Sequence, residues 1–254
     1  MRLGCTSYIY PADIITNVRQ LAGRAKDIEL VLFQVDDHEN NLPDDRTVAE
    51  LCRFASYHDM TYTVHLPLDL GLAEEAASSD KALRVINCTR ALRPYGYVIH
   101  LDGEPTLGTD AFRRWHENSL RSLAILASEV DDSALLCVEN LDSQPGEMIS
   151  AILDAAPVSC CADVGHLWKQ GIDPLPRLEA WGDRVRLVHL HGAGERDHKS
   201  LSLAPKISLD DVVSFLARRF NGVVTIEVFN EKDWIGSLET LRESAGRLGV
   251  TIDR

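Results

Sequence analysis

The sequence predicts one (β/α)8 barrel domain covering residues 1–254. Three observations carry that expectation. Eight short β-rich runs recur along the whole chain, amphipathic segments fill the gaps between them, and no phosphate-binding glycine turn follows the first run. Eight strand–helix units in a chain of this length match a barrel in count, order and size. The competing architecture, a doubly wound open sheet, needs a turn such as G-x-G-x-x-G after strand one. Here "SYIYPADI" stands in that place.

The β-rich runs begin with "RLGCTSY" from Arg2, "DIELVLF" from Asp27, "TYTVHLP" from Thr61 and "YVIHLDG" from Tyr97. They continue with "ALLCVEN" from Ala134, "VSCCADVG" from Val158, "VRLVHLHG" from Val185 and "GVVTIEVF" from Gly222. After strand two, "DRTVAELCRFASYHD" has helical periodicity. "TDAFRRWHENSLRSLAILASEV" places Phe112, Trp115, Leu120, Leu123, Leu126 and Val130 near a 3.6-residue period, with Thr109 or Asp110 as its cap. "SLDDVVSFLARRF" sets Val212, Phe215 and Leu216 on one face behind a Ser208 cap, and "SLETLRESAGRLG" closes with Gly249 as its stop. The longest polar stretch, "GAGERDHKSLSLAPK", reads as a mobile or substrate-facing loop after strand seven.

Composition narrows the function classes. Hydrophobic residues make up 45% of 254, enough for a sizeable core, and no apolar run approaches the ~20 residues of a membrane span. The N-terminal "MRLGCTSYIYPAD" has one Arg, no sustained apolar stretch and no clear cleavage site, so a cytoplasmic protein without a signal peptide is expected. Six scattered cysteines form no C-x-x-C pair and suit small buried hydrophobes in a reducing compartment. A net charge of −13 without a basic stripe disfavours nucleic acid and favours a small-molecule partner.

Polar residues stand where the strands end. Strands three to eight carry His65, His100, Glu139, Asp163, His189 and Glu227 near their C-terminal ends. In a barrel all those ends meet at one mouth. His191 shares the face of His189, and His166 follows Asp163 across a glycine in "CADVGHLWKQG". Glu29 lies early in strand two as a metal-ligand orienter, a general base or a buried ion-pair partner. Taken singly, a strand histidine is most often a hydrogen-bonded core residue, and Asp163 with His166 is a helix cap beside a stray imidazole. Six such residues at six successive strand ends point instead to metal. Three carboxylates in one mouth repel one another, and neutral imidazoles do not offset them. Divalent cations do, and mixed nitrogen and oxygen donors suit Zn, Mn, Fe or Co. A Glu with several His and Asp partners also fits a two- or three-metal cluster that clamps both oxygens of a phosphoryl displacement.

This constellation resembles the xylose isomerase-like barrel superfamily, which includes sugar isomerases and epimerases and endonuclease IV-type phosphodiesterases. Epimerase-like members hold one metal on strands five to eight, which carries over to Glu139, Asp163, His189 and Glu227. Endonuclease IV-like members add histidines on strands three and four, matched by "VHLPL" with His65 and "VIHLDG" with His100. In them the D-x-x-H histidine, His166 here, reaches a third metal with an Asp-x-His pair after strand seven. This chain departs from that pattern, because "GERDHKSL" makes Asp197 and His198 direct neighbours.

More narrowly, "GCTSYIYPADIITNV", "IELVLF", "VENLDSQP", "CADVGHLWKQG" and "HLHGAGERDHKSL" look like the cobamide-remodelling phosphodiesterases over essentially the whole chain. That resemblance implies hydrolysis of the nucleotide-loop phosphodiester of a cobamide, a vitamin B12-type corrinoid, to cobinamide phosphate and the lower-ligand nucleoside. It implies two or three divalent ions, zinc foremost, held by His65, His100, Glu139, Asp163, His166, His189, His198 and Glu227. Glu139, Glu227 and Glu29 are the expected catalytic groups. His191, Asp197, Trp168 and Tyr8 are the expected substrate contacts, with Tyr10 and Phe229 as further candidates for a wide mouth. Asn140 and Asp142 are candidates to orient the imidazoles. The alternatives are a single-metal sugar isomerase or epimerase, repair of abasic DNA, and a non-catalytic corrinoid binder.

Overall fold

A computed structural model of the chain describes residues 1–36, 38–75, 78–194 and 197–252. Eight parallel strands close into a barrel in chain order, as the sequence predicts. They are β1 (Arg2–Thr6), β2 (Asp27–Val31), β3 (Thr61–His65), β4 (Tyr97–Ile99), β5 (Leu136–Glu139), β6 (Ser159–Asp163), β7 (Val185–Leu190) and β8 (Val223–Ile226). The helices are α1 (Ile14–Leu21), α2 (Asp45–His58), α3 (Asp80–Thr89), α4 (Asp110–Ala127), α5 (Gly146–Ala155), α6 (Val164–Lys169), α7 (Pro174–Trp181), α8 (Lys206–Arg219) and α9 (Glu231–Leu248). No described helix is long and apolar enough to cross a membrane.

Local chemistry fixes the helix ends. Asp44 caps α2 by accepting from the Thr47 amide at 2.7 Å, and Thr109 caps α4 through the Phe112 amide at 3.2 Å. Gly249 stops α9 in the left-handed region at φ +63°, where a side chain would be strained. Ser208 is not the cap of α8. That helix starts at Lys206 after Pro205, and the Ser208 hydroxyl instead accepts from Trp168 Nε1 at 2.8 Å.

Strand alternation sorts the side chains. Outward-facing Tyr62, Val64, Ile99, Val138 and Val188 join the main core beneath the helices. Inside the barrel, Val98, Cys137, Cys161, Leu187 and Val223 form a separate apolar plug. Two residues further along those strands stand His100, Glu139, Asp163, His189 and Thr225. With a side-chain period of two, an apolar layer therefore sits directly beneath a polar one. The six cysteines are free thiols, four of them fully buried. Burial holds the Cys161 thiol well above its ordinary pKa, so it packs as a neutral group below the polar layer.

Helix α9 anchors the seam beside β8. Trp234 is 1% exposed, and the Arg24 guanidinium lies 4.5 Å from its ring centre. Trp234→Ala should lower unfolding stability by about 3–5 kcal/mol in a urea titration. A loss below about 1 kcal/mol would mean that the α9 contact adds little to barrel closure.

Candidate metal centre

The centre starts from Glu139 at the end of β5. Its two oxygens face different partners. Oε2 lies 3.0 Å from His100 Nε2 and 3.5 Å from His65 Nε2. Oε1 lies 3.5 Å from His189 Nδ1 and 3.7 Å from His166 Nδ1. His189 Nδ1 also meets Glu227 Oε2 at 3.0 Å and Asp163 Oδ2 at 3.8 Å. Donor atoms of Glu139, Asp163, His189 and Glu227 all fall within 4.8 Å of one another, as do those of His65, His100 and Glu139. A third such group joins His166, His191, Asp197 and His198.

Neighbouring groups orient these imidazoles, as metal-binding histidines require. His65 Nδ1 lies 2.8 Å from the Leu66 carbonyl, which leaves Nε2 toward Glu139. His189 Nε2 lies 2.8 Å from Glu29 Oε2, so Nδ1 faces the carboxylates. Glu29 is fully buried behind His189, which gives it the geometry of an orienter and not of a base in the mouth. His166 Nδ1 lies 2.9 Å from the Asn140 carbonyl. The Asn140 side chain also brackets the Asp163 backbone, donating to its carbonyl at 2.9 Å and accepting from its amide at 2.8 Å. Asp142 makes no such contact with an imidazole and pairs with Lys169.

The D-x-x-H stretch is both a cap and part of the centre. Strand β6 runs directly into α6, and Asp163 Oδ1 accepts from the His166 amide at 2.6 Å. Gly165 is not a bend, since it lies inside α6 and its φ is not positive. A Cβ there would overlap the His191 ring. That ring stands between two acids, with Nε2 3.1 Å from Asp163 Oδ1 and Nδ1 3.1 Å from Asp197 Oδ1. Adjacent Asp197 and His198 both reach the cluster because His198 adopts φ +52°, in the left-handed region. In an extended chain their side chains would point opposite ways. His198 Nδ1 then lies 3.4 Å from Glu227 Oε2.

Two expected substrate contacts need revision. Trp168 is buried on the core side of α6, with its N–H occupied by Ser208, and does not face the mouth. Tyr10 turns to the outer helices, donating to Glu231 at 2.7 Å and accepting from Arg24 at 2.7 Å. Tyr8 remains in the loop after β1, half-buried, where Asn41 donates to its hydroxyl at 3.1 Å. Phe229 is exposed and meets the His198 ring edge-on at 5.2 Å. Lys169 is not among the candidates read from the sequence, although D-x-x-H-x-x-K places three polar groups at steps of three on one helix edge. Its ammonium binds Asp197 Oδ2 at 2.8 Å as well as Asp142.

Electrostatics follow from burial and proximity. Burial disfavours the charged imidazole of His65, yet the Glu139 carboxylate outweighs it and lifts the pKa to about 9. Asp163 and Glu139 do the same for His166, and Glu227 for His198, each against burial and each reaching about 9. Burial opposes the charges of Glu139 and Glu227, but the facing histidines hold both carboxyls well below the usual range. The chain by itself therefore neutralises its buried acids with protons on imidazoles. Divalent ions suit the same donors and would displace those protons.

The fold and this centre define a TIM barrel whose buried nitrogen and oxygen donors gather at its mouth in groups that could hold a metal ion. The chain belongs to the xylose isomerase-like TIM barrel family, whose description matches residues 22–248. No curated protein sequence matches it. Among solved structures it is similar to a D-tagatose 3-epimerase-like protein, at 17% identity and TM-score 0.76 over 98% of each chain. It is also similar to the endonuclease IV of Thermus thermophilus, at 19% identity and TM-score 0.72 over 97% of this chain and 100% of that one. A D-psicose 3-epimerase from Clostridium cellulolyticum aligns at 15% identity and TM-score 0.62 over 98% of this chain and 97% of that one.

Two outcomes are expected. Metal uptake should release protons, because imidazoles raised to about 9 are charged at pH 7 and must become neutral to bind. The stabilising contribution of those protons to the metal-free protein is fully present below about pH 6.5 and lost as pH rises through about 9. Calorimetry in buffers of different ionisation enthalpy reads the release, and no proton release at pH 7 would contradict this charge state. Gly165→Ala should destabilise the fold by about 1–3 kcal/mol and weaken metal binding, by forcing His191 from its place between Asp163 and Asp197. Unchanged stability and unchanged affinity would refute the steric role.

Proposed function

We propose that this protein is a metal-dependent phosphodiesterase that hydrolyses the nucleotide-loop phosphodiester of cobamides, yielding cobinamide phosphate and the lower-ligand nucleoside. One observation carries the reading. Glu139 turns one oxygen to His65 and His100 and the other to His189, so this carboxylate would stand between two groups of donors. A single-metal epimerase needs only the group on β5 to β8. It gives no reason for two imidazoles on Glu139 Oε2.

The residues divide the work. His65, His100 and Glu139 would hold one ion, and Glu139, Asp163, His189 and Glu227 a second. His166, Asp197 and His198 would hold a third. Such ions polarise a phosphodiester and activate water for in-line attack. Glu29 and the Leu66 and Asn140 carbonyls fix which imidazole nitrogen faces the mouth. His191 ties Asp163 to Asp197 from behind the donors. Lys169 steadies Asp197 and brings a positive charge to the edge where a phosphate would lie.

Charge at the mouth disfavours a nucleic-acid substrate. The described residues of the loops that follow seven of the strands, within 7–13, 32–44, 66–79, 100–109, 140–145, 191–205 and 227–230, hold one Lys or Arg, Lys199, against twelve Asp or Glu. Binding a duplex relies on several cations against its phosphates.

Incubation with a cobamide and Zn, Mn or Co, followed by chromatography and mass analysis, should yield cobinamide phosphate and a free nucleoside. Unchanged cobamide under every metal would reject the activity. Elemental analysis should give two or more metal equivalents per chain, and a single equivalent would favour the epimerase. His100→Ala should lower phosphodiester hydrolysis by about 100-fold or more, whereas full activity would rule out the two-metal arrangement.

A further inference from the structure

The donor group formed by His166, His191, Asp197 and His198 is poor in negative charge. Three of its four members are imidazoles, and Asp197 is its only carboxylate. The neighbouring group sets three carboxylates, Glu139, Asp163 and Glu227, beside one imidazole, His189. A dication among His166, Asp197 and His198 therefore depends on Asp197 for its counter-charge.

Both oxygens of Asp197 are engaged. Oδ1 faces His191 Nδ1 at 3.1 Å and accepts from the His198 amide at 3.1 Å. Oδ2 accepts from the Lys169 ammonium at 2.8 Å, while His166 Nε2 stands 3.8 Å from the same oxygen. The oxygen nearest His166 is thus the one that the ammonium holds. This follows from local structure. Lys169 is the last residue of α6 and lies three past His166, so the helix sets both side chains on one edge.

The ammonium has a second anchor. It also pairs with Asp142 in the loop after β5. Gln170, the next residue, donates to the Asp142 carbonyl at 2.9 Å and keeps that loop against the end of α6. If Asp197 turns to an ion, Lys169 still has Asp142. The exchange needs neither an unpaired ammonium nor a movement of the helix. We propose that Lys169 is a built-in competitor for the third ion: its ammonium occupies Asp197 Oδ2 in the metal-free centre, an ion held by His166, Asp197 and His198 must displace it, and that ion is the weakest held of the three. This rests on the multi-metal reading of the centre and is independent of the substrate.

The sign of one change separates competition from orientation. A lysine that only orients Asp197 for metal strengthens binding, and a competing lysine weakens it. Equilibrium dialysis of the metal-depleted, full-length protein against zinc alone reads the affinity of each ion. Lys169→Met should tighten the weakest ion by about tenfold or more, because a like charge beside it is removed. Lys169→Arg keeps a cation at the position and should leave that ion weak. Lys169→Met/His198→Asn should lose the gain, which places the ion at this group, and asparagine tolerates the left-handed backbone found there. The Lys169 side chain is 43% exposed, and thermal unfolding should confirm an intact fold in each variant. Binding weakened by about 10- to 100-fold in Lys169→Met is the outcome for an orienting lysine and overturns the competition. Unchanged binding, or a gain that persists in the double variant, overturns it as well. Two ions in both the parent and Lys169→Met reject the competition but not the two-metal arrangement, whereas one ion in both rejects the two together. Failure to hydrolyse any cobamide counts against the phosphodiesterase reading alone, because zinc uptake is measured without substrate.

Discussion

Four carboxylates lie inside this barrel mouth, and their ion-pair partners among the described residues are all imidazoles. Glu29 and Asp163 are fully buried, Glu139 is 1% exposed and Glu227 4%. Burying an acid without a partner costs several kcal/mol, and the usual remedy is a lysine or arginine. Here the counter-charge is held by His65, His166, His189, His191 and His198. An imidazole that loses its proton offers a nitrogen lone pair to a cation, which an arginine cannot do. An arginine in place of any of these histidines would fix the charge permanently.

The rest of the mouth keeps those groups in register. Asn140 joins β5 to β6 by two hydrogen bonds around the Asp163 backbone. Gln170, just past α6, donates to the carbonyls of Asp142 at 2.9 Å and Gln144 at 2.7 Å. Gln144 in turn reaches the carbonyls of Leu101 and Gly103, both at 2.7 Å. Side-chain amides therefore tie the loops after β4, β5 and β6 together. The loop after β7 is closed by a reciprocal pair between Gly192 and Lys199, at 2.7 and 3.0 Å, and fastened to α6 through Lys169 and Asp197. These side-chain amides and the lysine link loops that are distant in sequence around one donor cluster.

The barrel is legible in the sequence because its signals are long or periodic. Strand recurrence, the cap of α4 and the glycine after α9 are all local and all present in the structure. The polar strand ends are legible for the same reason: in "LLCVEN" and "CCADV" an apolar inward residue precedes the acid by two. Short α6 is not legible as a helix, since six residues carry too little periodicity and no loop separates them from β6. The roles of Gly165 and Lys169 depend on His191 and Asp197, which come from the next strand and its loop. Trp168 and Tyr10 defeat a sequence reading because an aromatic near a strand end can turn to the mouth or to the helices. Partners distant in sequence, Ser208 and Glu231, decide the matter.

Adjacent Asp197 and His198 complete the donor group that holds His166 and His191. By spacing alone the pair departs from Asp-x-His, where alternation puts both side chains on one side. The left-handed backbone at His198 achieves the same convergence with one residue fewer, at a steric cost of roughly 1–3 kcal/mol. That cost is borne where Lys169 holds Asp197, Glu227 faces the His198 ring and Phe229 packs against its edge. A strained non-glycine residue persists only when its surroundings over-determine it. Here they are two acids, a lysine and an exposed phenylalanine, so the strain lies within the donor cluster itself.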